Sequence, residues 1–336
     1  MVKKQTSSKK VENNILNKSS WSDSIFGKVR IESQDTYFEN VSTKISNKIS
    51  RYKKLYHIVK NCYKIIIHIR GPFHVLPDFL ILASGASGTT SMMELYLQSN
   101  KYIKPSKTNE IFYFDKKYYN HVNWYKIFFP TIFEKFFQIH ILKKKFIVGE
   151  DTGKYLLHHQ APKRVKETIP NAKFIVMMRN PIDRSFSNYK RQIRNGKQKL
   201  TFEESINIEN NTVQKELDAI KKDENYHGQY LAQAYLTRSK YVNALERWFE
   251  FFPKEQFLFI NTDDYFKNPI YSYHKILEFL NLPKHTPKIT GKRGISQRDK
   301  SKDTKLKPET QKYLKEYFKP YNEKLFKLIN ERYDWD

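Results

Sequence analysis

The chain has 336 residues and a formal net charge of +26, from 61 Lys and Arg against 35 Asp and Glu. Only 10 Gly and 13 Pro exclude a collagen-like or low-complexity chain, and 15% aromatic residues exclude disorder throughout, because that much aromatic surface drives burial. One cysteine, Cys62, excludes an intramolecular disulfide and a cysteine-rich metal site, and a lone thiol suits a reducing compartment.

Residues 1–50 are rich in Ser, Asn, Lys and Thr, show no sustained apolar period, and read as a mobile polar N-terminal arm. They carry nine basic and five acidic residues, a net of 9 − 5 = +4, so +22 of the charge belongs to residues 51–336. The opening MVKKQTSSKKVENN has no apolar run behind its lysines, unlike a secretory signal. No stretch reaches the ~20 apolar residues of a membrane span, and the cytosol is the expected location. Residues 51–75 mix basic and apolar positions; a membrane-surface helix fits, and a packing lead-in fits better.

From Pro77 the pattern sharpens. Asp78–Ser84 is an apolar run ending in small residues, the mark of a buried strand. Gly85-Ala86-Ser87-Gly88 is a tight turn, and Thr89–Ser99 follows at helical spacing. Lys145–Val148, Asn171–Met178 and Gln256–Ile260 are further strands. Pro181 opens a helix bearing Phe186, Tyr189 and Ile193 on one face. Helices are also expected over Phe202–Ala219, Leu231–Phe251, Ile270–Leu280, Pro308–Phe318 and Pro320–Ile329. Strands alternating with helices predict an α/β fold: a mostly parallel central sheet flanked by helices. No boundary interrupts the chain after Pro77, so residues 51–336 read as a single domain.

A strand, a glycine turn and a helix start make a natural phosphate site, because backbone N–H groups and the helix dipole attract anions there. Gly85 and Gly88 allow close approach, and Thr89 and Thr90 add hydroxyls. An ordinary strand-to-helix turn uses the same residue types. The turn is not a Walker A loop, since Gly88 leads directly into Thr89-Thr90 with no lysine between. A second anion contact is expected about ninety residues on, where strand Phe174–Met178 delivers Arg179 to its C-terminal edge and Ser187 follows two helical turns later. Asp183 and Arg184 fit a pair at the helix start.

Ser87-Gly-Thr-Thr-Ser91 after a strand, together with MRNPIDRSFSNY (Met178–Tyr189), resembles the two cofactor signatures of the sulfotransferases, enzymes that use 3′-phosphoadenosine 5′-phosphosulfate (PAPS). Glu110–Asp115 (EIFYFD) is similar to a stretch of the carbohydrate, heparan-sulfate-type branch. Gly149-Glu150 and Tyr155, Tyr241–Pro253, Phe257–Tyr265 and Pro308–Trp335 follow the later pattern of that family, so the likeness spans roughly residues 76–335. The resemblance implies a P-loop-like sulfotransferase fold. It implies that Gly85, Ala86, Ser87, Gly88, Thr89 and Thr90 cradle the 5′-phosphosulfate. It implies further that Arg179 and Ser187 hold the 3′-phosphate, that Glu110 is the catalytic base, and that a carbohydrate hydroxyl is the acceptor. Within the basic run Lys284–Lys307, Lys292 and Arg293 are the candidates for a loop covering the nucleotide, alongside a plain solvated loop. Glu150 and His158 are weaker alternatives for the base, and Trp124 and Tyr125 are candidate sugar platforms that each fit a core better. No metal is required, and no Asp/Glu/His cluster argues for one.

One position departs from the family. The lysine usually found two residues before the Gly of the first signature, which bridges the transferring sulfonate and the leaving phosphate, is Ala86 here. Another cation such as Lys107 or Lys154 substitutes, or the chain binds the nucleotide with little turnover, or the natural lysine has been replaced. The high charge also allows a nucleic-acid-binding protein, a reading weakened by the lack of any helix-turn-helix, zinc-finger or RNA-binding signature.

Overall fold

The computed structural model describes residues 53–222, 234–287 and 305–335. Five strands, β1 (Phe79–Ala83), β2 (Ile103–Pro105), β3 (Ile147–Glu150), β4 (Lys173–Met178) and β5 (Phe257–Asn261), form one sheet in the order β2-β3-β1-β4-β5. Every neighbouring pair is parallel, with Leu80 opposite both Glu150 and Phe174 and Ile175 opposite Leu258. The expected α/β architecture is what the chain adopts.

Both faces of the sheet are covered, which is why its strands read as continuous apolar runs rather than alternating ones. The period of two sorts each strand's side chains into two cores. Leu80, Leu82, Phe174, Val176 and Met178 join an aromatic core with Tyr125, Tyr155 and Trp248. Phe79, Ile81, Ala83, Ile175 and Met177 join a second core with Met92, Tyr96, Tyr273 and Leu277. At about 25 cal/mol per Å² of apolar surface, burying large side chains on both faces makes β1 and β4 the most firmly held part of the fold.

The order places β1 between β3 and β4, so chain connections leave it in both directions and open a crevice beyond its C-terminal end. The turn Ser84–Gly88 and Arg179 both follow strands that end at this edge.

Three expectations need correction. Strand β2 was not anticipated: three residues ending in proline carry too little apolar pattern to signal a strand. The helices expected on either side of Pro320 are one helix, Pro308–Ile329. Its face of Leu314, Phe318, Leu325, Phe326 and Ile329 is buried, and that packing outweighs the hydrogen bond the proline removes. The helix expected over Leu231–Phe251 is instead a 3₁₀ turn, Thr237–Ser239, then helix Tyr241–Phe249, separated by Lys240 at φ −81°, ψ 70°; its first residues lie outside the described ones. The helix after the glycine turn begins at Thr89–Ser91 and widens into a π-helical stretch, Met92–Leu97. Helix Lys53–Arg70 packs inward through Tyr63 and Ile67, in line with a packing lead-in. The expected N-terminal arm lies outside the described residues.

Candidate functional site

The turn after β1 is built from left-handed backbone: Gly85 at φ 79°, Ala86 at φ 58° and Gly88 at φ 76°. A Cβ on Gly88 would come within 3.2 Å of the Tyr265 ring and 3.3 Å of the Phe266 ring, so glycine is required there on two counts. The carbonyls of the turn point into the protein. Thr262 Oγ1 donates to Ser87 O at 3.0 Å, and Arg184 Nη2 and Arg238 Nη2 donate to Ser84 O at 3.0 and 3.1 Å. With carbonyls drawn inward and left-handed residues on both sides of Ser87, the turn has the backbone of an anion-binding nest, a shape suited to phosphate or sulfonate oxygens. Ser91 Oγ and the Tyr265 hydroxyl, 2.5 Å apart, tie the following helix to the same scaffold.

Arginines surround this turn. Arg184 is fully buried; besides Ser84 O it reaches Gly85 O at 3.4 Å, Tyr235 O at 2.8 Å and Ser239 Oγ at 3.1 Å. It is therefore a brace for the turn and not the partner of Asp183, which is exposed. Ser84 Oγ also donates to the Arg238 carbonyl. A Cβ on Gly85 would stand 3.5 Å from Arg191 Nη2 and 3.7 Å from Arg238 Nη2, so two guanidinium groups face the bare side of that glycine. Arg191 Nη2 also donates to Asn188 Oδ1 at 2.8 Å. Burial pushes Arg184 down to about 10 and Arg238 to about 9, and their mutual repulsion adds to the shift in Arg238. Burial lowers Arg191 as well, while the Glu110 charge opposes the shift. All three stay cationic at neutral pH.

Glu110 lies at the rim, exposed, with backbone φ 52°. Lys154 Nζ is 3.8 Å from its Oε1 and 4.8 Å from the centre of the Phe112 ring. Gly153 packs so closely on Ala83 that a Cβ there would meet the Ala83 Cβ at 3.2 Å, which sets Lys154 beside the end of β1. Burial pulls Lys154 below the usual lysine range, with Glu110 acting to raise it. The other lysine considered as a substitute cation, Lys107, donates to Ile127 O at 2.9 Å. Beneath Glu110, Asp151 is 3% exposed, its Oδ1 has no hydrogen-bond partner, and burial followed by the Glu110 charge raises it to about 7.

Glu150 is a different case. It has no exposure and accepts hydrogen bonds from Tyr125, from Thr152 Oγ1 at 2.5 Å and from Tyr155 at 2.7 Å; burial raises it to about 7. Sealed in this way it is a core carboxylate and has no path to an acceptor. Trp124 and Tyr125 are likewise buried, Tyr125 stacking on Tyr113 at 4.4 Å, so neither is a sugar platform.

At the end of β4, the Tyr241 hydroxyl accepts from Arg179 N at 3.2 Å and donates to Arg179 O at 3.0 Å, fixing that backbone. The Arg179 Nε is buried without a hydrogen-bond partner and lies 3.7 Å from Asp263 Oδ1. Ser187 is half-buried in helix Pro181–Arg194, which starts at the same sheet edge. Thr89 is half-buried and Thr90 exposed at the start of the helix after the turn. Lys292 and Arg293 lie outside the described residues. Among the described residues no cluster of three or more His, Cys, Asp or Glu is placed to hold a metal ion.

Sequence reading missed Arg191, Arg238, Asp151 and Asp263. Arg191 had a signal: Arg184, Asn188 and Arg191 recur at i, i+4 and i+7, a polar stripe on a helix otherwise read through Phe186 and Tyr189. Arg238 had none, because it meets Ser84 across 154 residues of sequence. The glycine turn with guanidiniums facing it, and Arg179 with no hydrogen bond at its Nε, are two places suited to anionic groups.

The Sulfotransferase domain family matches residues 76–325. The chain is similar to the membrane-associated sulfotransferase kil1 of Dictyostelium discoideum, 26% identical over 335 residues that cover 80% of this chain and 68% of that protein. It is also similar to heparan sulfate glucosamine 3-O-sulfotransferase 5 of Mus musculus, 22% identical over 302 residues covering 82% and 78%. A solved sulfotransferase from Alicyclobacillus acidocaldarius shares the fold at a TM-score of 0.56 and 21% identity, covering 77% of this chain and 98% of that one. Among the described residues no helix is long and apolar enough to cross a membrane, and the cytosolic location stays an expectation.

Proposed function

The chain belongs to the sulfotransferase family, and we propose that it moves a sulfonate group from PAPS to a hydroxyl of a carbohydrate acceptor. The observation that carries this reading is the sheet edge itself, where a left-handed glycine turn and an arginine whose Nε has no hydrogen-bond partner follow neighbouring strands β1 and β4. The carbohydrate acceptor is supported by the heparan sulfate relative and by the Glu110–Asp115 stretch. A nucleic-acid-binding protein is not favoured.

In this reading the nest of Gly85, Ala86, Ser87 and Gly88, with Thr89 and Thr90, receives the 5′-phosphosulfate, and Arg179 with Ser187 receives the 3′-phosphate. PAPS supplies the sulfonate and the leaving phosphate. The acceptor oxygen bonds to sulfur as the bond from sulfur to the bridging phosphate oxygen breaks. The hydroxyl proton passes to Glu110, and the leaving adenosine 3′,5′-bisphosphate (PAP) keeps the bond's electron pair. Such a transfer needs in-line placement, a proton acceptor and positive charge on the leaving side. Glu110 suits the second need, standing exposed at the rim with Lys154 Nζ 3.8 Å away.

The test is calorimetry with PAP, followed by transfer from PAPS to heparan-type saccharides. Binding is expected in the wild type and should weaken at least tenfold in Arg179→Ala. Glu110→Gln should lower kcat by about 10²–10⁴-fold with PAP affinity retained, the range expected for loss of a general base. No PAP binding, or unchanged binding in Arg179→Ala, would reject the reading.

A further inference from the structure

The turn lacks the cation that the chemistry asks of position 86, yet the space beside it is strongly positive. We propose that Arg191, supported by Arg238, supplies the positive charge on the transferring sulfonate and the leaving phosphate in place of a side chain from the turn. This rests on the sulfotransferase reading and deepens it by naming the residue at the reacting bond.

Arg191 Nη2 lies 3.5 Å from where a Gly85 Cβ would sit, and Arg238 Nη2 lies 3.7 Å from it. Glycine leaves that space open, and the two guanidinium nitrogens are the atoms nearest to it. Arg184 approaches the same turn from below but spends its nitrogens on Ser84 O, Gly85 O, Tyr235 O and Ser239 Oγ. Arg238 is held to the turn through Ser84 O. Arg191 is the member of the three that reaches the turn without bonding to its carbonyls, because its hydrogen bond to Asn188 Oδ1 comes from its own helix one turn back. That hydrogen bond fixes the guanidinium while leaving donors for an anion.

Charges of both signs meet at this turn. The Glu110 charge acts on Lys154, Arg191 and Arg238, all of which burial disfavours as cations. Lys154 Nζ is 3.8 Å from Glu110 Oε1, while the Arg191 and Arg238 guanidiniums face Gly85. A buried and a half-buried guanidinium side by side are costly unless an anion enters between them, and a preorganised cation shielded from water gains most from charge that develops during the reaction. Lys154, 3.8 Å from Glu110, is placed to position the base rather than to bridge the leaving group.

Two variants separate this from a structural role. Arg191→Gln keeps a donor toward Asn188 and removes the charge, so it is the variant expected to fold. PAP affinity, read by calorimetry, should fall about tenfold in Arg191→Gln, and kcat for sulfonate transfer about hundredfold. Adding Ala86→Lys to Arg191→Gln should recover at least tenfold in kcat and most of the PAP affinity, because the charge returns to the same anion from the other side. Arg191→Lys should lie between. PAP affinity within threefold of wild type in Arg191→Gln, or no recovery from the added lysine, overturns the proposal. The affinity arm reads without turnover. If the wild type binds no PAP, the sulfotransferase reading fails; if the wild type binds PAP and Arg191→Gln binds it equally, only the role of Arg191 fails.

Discussion

At the turn after β1 the chain provides backbone and borrows its charge. The nest is made locally by Gly85, Ala86 and Gly88, whereas the guanidiniums beside it come from helix Pro181–Arg194 and from Arg238, far away in sequence. At the end of β4 the arrangement is reversed. Arg179 is supplied by the segment itself, and the distant parts of the chain contribute an anion, Asp263, and the hydroxyl of Tyr241. A local cation is held on a backbone clamped by Tyr241, with one carboxylate 3.7 Å from its Nε. Borrowed cations depend on the packing of several elements, so their geometry is only as good as the fold around them.

The largest expected effect tests the backbone half of this contrast. Gly88→Ala forces a Cβ to 3.2 Å from Tyr265 at a residue with φ 76°. PAP affinity should drop at least hundredfold, and the melting transition should report a loss of about 1–3 kcal/mol from strain and overpacking. Affinity within threefold of wild type would show that the nest is not what receives the phosphosulfate.

How much of this was legible in the sequence follows the same division. The nest was readable because strand, glycine turn and helix are consecutive, and each has a local signature. Strands β1, β4 and β5 were readable because burial on both faces makes them apolar throughout. Strand β2 was not, since three residues carry no period. Glu150 could be named as a carboxylate of interest, but nothing local shows that Tyr125, Thr152 and Tyr155 converge on it and close it off. The positive charge facing Gly85 was hidden for the same reason: contacts formed by topology leave no mark on the segments that meet. The net charge of +26 pointed to an anion without pointing to the two arginines that face the turn.

A smaller effect separates the buried carboxylates from the rim. Glu150 and Asp151 both sit at about 7, above the ordinary 4.5 and 3.8 of their side chains, chiefly through burial. A raised carboxyl holds a proton in the folded state that the unfolded chain has already released. Stability should therefore fall as pH rises from about 4.5 to about 7 and level off above that. Each group contributes on the order of 2 kcal/mol across this window, less where the two share the effect. Denaturant midpoints measured from pH 5 to pH 8 should decline, and Glu150→Gln should flatten the slope. A rising stability across the same range would mean that these carboxyls are ionised in the folded protein.

The smallest expected effect concerns the carboxylate beside Arg179. Asp263 Oδ1 is 3.7 Å from Arg179 Nε, too long for a good hydrogen bond, and Asp263 Oδ2 accepts instead from Asn180 N at 3.2 Å. The side chains of both partners are partly exposed, so the attraction is screened and weak. In the proposed function an entering 3′-phosphate shares the guanidinium with this carboxylate. Asp263→Asn keeps an acceptor for Asn180 N and removes the competing charge, so PAP affinity should rise about threefold, with the gain shrinking at high salt. The same substitution should leave the effect of Arg191→Gln on PAP affinity unchanged, because in the proposed function the two cations serve opposite ends of the nucleotide. A loss of affinity in Asp263→Asn would instead mean that Asp263 orients Arg179 for its anion, and the contrast between a local cation and borrowed ones would narrow, since both would then depend on distant segments.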